Sequence, residues 1–199
     1  MLTNSFYVNK KKYLKKIKKY ALQNKIPIIH DETLLFLQKI IQKKNKINIL
    51  EIGTAIGYSS LAMSNETNQI DTLERDYNKY RLALYFFKKK IFNIQFIWSE
   101  AFFYQPKKKY DLIFIDAAKV QYEKLFQKYI AYLNDNGIVI CDNLNFHNLD
   151  INDPKLSRSA KRLINKINNF KFFLQNNYYF TTFFLNIGDG LSFSIKKNK

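Results

Sequence analysis

Two glycines four positions apart, Gly53 and Gly57, lie in the stretch ILEIGTAIGYSS, residues 49–60. An apolar run precedes them and small hydroxyl residues follow. A buried strand that ends in a glycine turn and feeds a helix offers backbone N–H groups to a nucleotide-like ligand, and glycine lets the chain approach that ligand closely. The spacing here is G-x-x-x-G, with Ala55 where the dinucleotide fingerprint needs its second glycine, which argues against a nicotinamide cofactor. Glu74 closes the next predicted strand, in Leu73-Glu74-Arg75, and an acid at that place can accept hydrogen bonds from both ribose hydroxyls. Asp116 and Asp142 end two further predicted strands, where open α/β sheets bind their ligands.

Alternating strands and helices must position these groups. Apolar runs predict strands at 47–52, 69–74, 94–98, 111–116 and 137–142. Between them the spacing predicts helices from about Tyr58, over 76–92 and over 120–133. Such alternation means a parallel sheet with helices on both faces. A basic helix follows over 156–174. Strands 180–185 and 191–195 flank Gly188-Asp189-Gly190 and predict a closing antiparallel hairpin. At the front, apolar residues at 13, 14, 17, 20 and 21 have helical spacing, and seven lysines fall within positions 10–19. A second helix is expected from Asp31, taken as its N-cap, to about Lys44. The chain reads as one domain over 1–199, with basic N-terminal helices in 1–45 and the alternating core in 46–199.

The formal net charge of +17 over 199 residues favours a polyanionic partner. Abundant Lys, Asn, Ile, Phe and Tyr together also fit a compositional bias in which many lysines are only solvated surface. The sharp reading makes Lys15, Lys16, Lys18 and Lys19, together with Arg158, Lys161, Arg162 and Lys166, contacts to a nucleic-acid backbone. No uninterrupted apolar stretch is long enough to span a membrane, and the basic N-terminus lacks the pattern of a secretory signal. The one cysteine, Cys141, is expected in the core, which fits a reducing cytoplasm.

The pattern E-x-G-x-x-x-G followed by an acid at the end of the next strand resembles the class I S-adenosylmethionine-dependent methyltransferases. Tyr110-Asp111-Leu112-Ile113-Phe114-Ile115-Asp116-Ala117-Ala118-Lys119-Val120-Gln121-Tyr122 narrows this. It is similar to the D-x-x-F-x-D-A-x-K-x-x-Y signature of the catechol and caffeoyl-CoA O-methyltransferase family, and Ile140-Cys141-Asp142-Asn143 to that family's next motif. The resemblance covers roughly residues 25–195. It implies a Rossmann-like fold with a seven-stranded, mostly parallel sheet and a C-terminal hairpin. It also implies a cofactor set of Ile28 (in Ile26-Pro27-Ile28-Ile29), Glu51, Gly53, Thr54, Gly57, Tyr58, Ser59, Glu74, Arg75, Glu100, Ala101 and Asp116. Glu51 and Tyr58-Ser59 would lie near the methionine end, Glu74 on the ribose and Ala101 beside the adenine.

Asp116, Asp142 and Asn143 would be the metal ligands. Two carboxylates and an amide oxygen suit a hard cation, Mg²⁺ or Mn²⁺. Lys119 would be the general base. The family usually has a glycine a few residues past Asp-Asn, and Leu144-Asn145-Phe146-His147-Asn148 has none, which leaves the loop 144–155 and any role of His147 open.

A vicinal pair of oxygens suits such a metal. Catechols carry one, and so does 5-hydroxyuridine, whose 5-hydroxyl neighbours the C4 carbonyl. A small catechol gives no reason for +17, whereas short bacterial members of the family that this chain resembles include tRNA 5-hydroxyuridine methyltransferases. The expectation is therefore methylation of the wobble base in the anticodon stem-loop, by a cytoplasmic homodimer. A catechol-type small-molecule enzyme is the alternative, and a non-catalytic RNA-binding protein on the same fold a second one.

Overall fold

A computed structural model describes residues 2–44, 46–88, 92–145 and 156–198, with side chains described from residue 5. His147 and most of the loop 144–155 lie outside the described residues. The chain divides into two compact units, Met1–Gln105 and Pro106–Lys199.

In the first unit, α1 (Leu2–Gln23) and α2 (Asp31–Gln42) precede β1 (Asn48–Ile52), α3 (Tyr58–Met63), β2 (Gln69–Glu74), α4 (Tyr77–Phe86) and β3 (Ile94–Trp98). β2 pairs in parallel with both β1 and β3. The apolar stripe foreseen in α1 is real: Ile17 and Ala21 are fully buried, while Lys11, Lys12, Lys15, Lys16 and Lys19 are exposed. Ile49, Leu50 and Ile52 of β1 are buried, as a strand inside a parallel sheet requires.

In the second unit, β4 (Tyr110–Ile115) leads through a 3-10 turn (Lys119–Gln121) into α5 (Tyr122–Tyr129), and a second 3-10 turn (Ile130–Tyr132) into β5 (Leu133–Cys141). Then come α6 (Arg158–Gln175), β6 (Phe180–Leu185) and β7 (Leu191–Lys196). β4 and β5 are parallel, and β7 pairs antiparallel with β5 and β6. Seven strands thus form a mixed sheet in the order β3-β2-β1-β4-β5-β7-β6. This is a Rossmann-like arrangement with a closing antiparallel hairpin. No described helix is long and apolar enough to cross a membrane.

Several boundaries differ from the sequence reading. α4 stops at Phe86 and not near 92, because a turn at Phe87 ends the intrahelical bonds. The predicted helix 120–133 is α-helical only from Tyr122 to Tyr129, bounded on each side by a 3-10 turn. β5 begins at Leu133, not 137, because Leu133 pairs with Tyr110 across an irregularity in the ladder. Asp31 is not the N-cap of α2. His30 holds that place without a side-chain bond, and the Asp31 carboxylate is drawn to Lys18 at 2.7 Å. Cys141 is buried, as expected, and burial pushes its thiol up to about 12.

Candidate active site

The glycine turn in the first unit is built from β1, β2 and the start of α3. Gly53, Ala55 and Gly57 have φ of 111°, 47° and 85°. A left-handed conformation costs an ordinary residue roughly 1–2 kcal/mol, so the turn needs its glycines, and Ala55 must be held. Its N–H donates to Glu74 Oε2 at 2.8 Å, while the N–H groups of Gly53 and Thr54 both donate to the Leu73 carbonyl at 3.0 Å. The other Glu74 oxygen accepts from the Asp76 N–H at 2.8 Å. The carboxylate foreseen as a ribose ligand is thus clamped to the turn it serves, and each oxygen retains further lone-pair capacity. Asp76 in turn caps α4 by accepting from the Asn78 and Lys79 N–H groups.

Glu51 is fully buried and accepts from the Ser60 hydroxyl and, at 2.5 Å, the Thr72 hydroxyl. It ties β1 to β2 and α3, a positioning role that the sequence reading did not foresee. The Thr54 hydroxyl meets that of Thr72 at 2.5 Å. Tyr58 and Ser59 open α3 and are buried, and burial raises the Tyr58 phenol, opposed by nearby Lys18. Arg75 reaches Glu100 at 3.8 Å, Ala101 is buried, and Ile28 is half-buried between α1 and α2.

The second unit gathers the other candidates. Asp116 and Asp142 each follow the last residue of a parallel strand, β4 and β5. The Asp142 N–H donates to the Ile115 carbonyl at 3.1 Å, which fixes the two strand ends side by side. Asn143, in the left-handed region at φ 62°, donates its N–H to Asp142 Oδ1 at 2.7 Å and its amide to Asp116 Oδ1 at 3.2 Å. Burial pushes Asp116 up to about 6, with Lys119 opposing. Burial and then Asp116 push Asp142 up to about 7, with Asp189 adding and the Asn143 N–H and Lys119 opposing. Tyr122, buried, donates its hydroxyl to the Asp142 carbonyl at 3.0 Å and so holds this strand end from below.

Buried Asp142 and half-buried Asp116, both raised by desolvation and Asp142 further by Asp116, form a site a dication would neutralise, and a half-turn of the Asn143 amide adds a third oxygen. The donor set therefore fits a hard metal ion. No group of three His, Cys, Asp or Glu side chains suited to a metal occurs among the described residues, so a metal held here would take the Asn143 amide as its third protein ligand.

Sequence reasoning missed Asp189, whose charge acts on Asp142 from the hairpin turn, and Lys10, which it counted in the basic face. Lys10 instead donates to the Ala62 and Ser64 carbonyls at 2.8 and 2.5 Å, at the C-terminal end of α3, and burial lowers it to about 8. Among the nucleic-acid candidates, Lys15 and Lys19 are exposed, Lys16 lies over the Tyr85 and Phe86 rings, and Lys18 is paired with Asp31. On α6, Arg158, Arg162 and Lys166 are exposed and Lys161 partly so.

The first unit thus carries a strand–glycine turn–helix closed by a carboxylate, and the second an Asp-Asp-Asn-Lys cluster at neighbouring strand ends, the kinds of ligand-facing group that open Rossmann-type sheets present. The O-methyltransferase family matches residues 4–197, and the chain belongs to that family. It is similar to the structure of a Staphylococcus aureus protein assigned provisionally as a caffeoyl-CoA O-methyltransferase, with 32% identity, a TM-score of 0.85, and coverage of 99% of this chain and 100% of that one. A Podospora anserina methyltransferase solved with S-adenosylhomocysteine bound shares 25% identity at a TM-score of 0.72, over 82% of this chain and 77% of that one. Tapetum-specific methyltransferase 1 of Arabidopsis thaliana is 30% identical over 64% of this chain, and the match spans 59% of that protein's length.

Proposed function

We propose that this chain is an S-adenosylmethionine-dependent O-methyltransferase that converts 5-hydroxyuridine at the tRNA wobble position to 5-methoxyuridine. One observation carries the methyl-transfer reading: Asp116, Lys119, Asp142 and Asn143 converge at two adjacent strand ends. The bound S-adenosylhomocysteine of the Podospora relative supports the cofactor. The substrate oxygen attacks the sulfonium methyl carbon in line, the carbon–sulfur bond breaks, and S-adenosylhomocysteine leaves. Lys119 takes the hydroxyl proton. Bound between Asp116, Asp142 and Asn143, Mg²⁺ or Mn²⁺ would make the substrate hydroxyl more acidic. On the cofactor side, Glu74 would accept from the ribose while keeping the glycine turn closed.

The net charge of +17 and the exposed lysines of α1 support an RNA substrate. We place the enzyme in the cytoplasm, where a lone buried thiol stays reduced, and propose a homodimer. A catechol-type small-molecule substrate is the second reading, favoured by the caffeoyl-CoA name of the S. aureus relative. Binding without turnover would point to the third, an RNA-binding protein on this fold. A gel-shift titration of an anticodon stem-loop at two salt concentrations, run beside a catechol turnover assay, separates them. The tRNA reading expects affinity to fall with salt at a log–log slope of roughly −0.7 per single-strand phosphate contact. No shift at low salt would overturn it. Wobble nucleosides from cells lacking the protein should lose 5-methoxyuridine by mass spectrometry.

A further inference from the structure

The chain has a single tryptophan, Trp98, and it ends the strand β3 with 57% of its surface exposed. Large aromatics left open to water are informative where they are held in place. Trp98 is held: its Nε1 donates to the Arg75 carbonyl at 3.1 Å. The indole packs against Tyr77 at 4.7 Å between ring centres and lies nearly parallel to Tyr80, 27° between planes at 6.5 Å. Tyr77 is itself 48% exposed and carries the Arg81 guanidinium 5.8 Å above its ring. The indole's polar group is satisfied, so what remains for a partner is a flat π surface flanked by a cation.

The location matters as much as the chemistry. Trp98 is in register with Glu74 across β2 and β3, and Glu74 holds the glycine turn through Ala55. The aromatic group therefore lies one strand from the proposed cofactor turn, at the same end of the strands. Bases unstacked from RNA are taken up on aromatic faces and guanidinium planes, and one stacked base contributes roughly 1–3 kcal/mol by alanine substitution.

We infer that Trp98, Tyr77 and Tyr80 form a base-stacking platform for an unpaired RNA nucleotide, with Arg81 placed to meet its phosphate or stack on its edge. The occupant follows from charge complementarity: a +17 chain offers a π surface and a cation together, which single-stranded RNA matches and an apolar peptide does not. This rests on the RNA-substrate reading and adds a second contact outside the reacting base.

Because Trp98 is the sole indole, its emission reports on the platform directly. The full chain, saturated with S-adenosylhomocysteine, is titrated with an anticodon stem-loop, and separately with inorganic polyphosphate. Saturable quenching by RNA but not by polyphosphate is expected. Trp98→Ala should weaken RNA binding by roughly five- to hundred-fold, Trp98→Phe much less, with cofactor affinity unchanged in both. If RNA shifts the protein on gels while Trp98 emission and Trp98→Ala affinity stay as in the unmodified chain, the platform is wrong and the RNA reading survives. If no RNA binds, both fall. If Trp98→Ala instead changes the sedimentation coefficient, the face joins copies of the chain, and the platform is also overturned. Should Trp98→Ala fail to fold, Tyr77→Ala and the emission titration decide alone.

Discussion

Two sets of acids stand within or at the ends of parallel strands in this protein, and their surroundings differ. Glu74 in the first unit gives each oxygen a backbone N–H, from Ala55 and Asp76, and Glu51 takes two hydroxyls. In the second unit, Asp116 and Asp142 share one side chain of Asn143, one N–H and the field of Lys119, and both are held above the usual carboxylate range. Fixed dipoles have already answered the charge in the first set. In the second they have not, so the pair is ready to accept a cation or a proton. The same element type, a carboxylate closing a parallel strand, serves to shape a turn in one place and to concentrate negative charge in the other.

Removing one member of the uncompensated pair breaks this contrast most. Asp142→Ala should lower methyl-transfer turnover, on whichever substrate the assays of the proposed function identify, by about 10²–10³-fold, the scale of losing one preorganised electrostatic group, while S-adenosylhomocysteine affinity by calorimetry stays within about twofold. An equal loss of cofactor affinity would merge the two sets into one. Glu74→Gln comes next. It keeps the shape but loses charge-assisted bonds, each worth about 1.5–3 kcal/mol, so cofactor affinity should fall by roughly tenfold to hundredfold with metal dependence unchanged.

Stability against pH gives the third test. The folded chain holds Asp116 up to about 6 and Asp142 up to about 7, against an ordinary value of 3.8. Between the ordinary and raised values the folded state binds more protons than the unfolded one, so stability falls as pH rises through that window. Without divalent ions the melting temperature should be several degrees higher at pH 5.5 than at pH 8. Mn²⁺ or Mg²⁺ should restore it at pH 8 and do little at pH 5.5, and Asp142→Asn should flatten the profile.

The smallest expected effects are in the two turns. Gly57→Ala and Gly190→Ala put a side chain at φ 85° and 82°, at roughly 1–2 kcal/mol each. A β-carbon at 57 meets the Phe87 ring at 2.8 Å, which would have to shift against Phe92 and Phe96, whereas one at 190 meets the Asn145 side chain more closely still, with Asn145 bonded to Asn186 and Lys171. Thermal melts should show Gly190→Ala as the more damaging.

Much of this was legible in the residues alone. Strands 69–74, 94–98 and 180–185 are where their apolar runs place them, because β-branched and aromatic runs favour extended pairing whether the strand is buried, as β2 is, or largely open, as β3 and β6 are. Gly53 and Gly57, Glu74, Asp116 and Asp142 could be read because a strand end is a fixed address for ligand-facing groups in this architecture. Sequence could not assign partners. Lys10, Lys18 and Lys19 look alike in a run of lysines. Only the folded chain makes Lys10 a half-buried donor to the end of α3, pairs Lys18 with Asp31 and leaves Lys19 in water. Nor could it distinguish Glu51, whose Oε2 accepts from hydroxyls of α3 and β2, from Asp142, raised by burial and then by Asp116, a carboxylate distant in the chain. Local periodicity sets where elements begin and which face they bury. The charge state and task of an ionisable side chain depend on which groups packing brings within a few ångströms, and those come from distant parts of the chain.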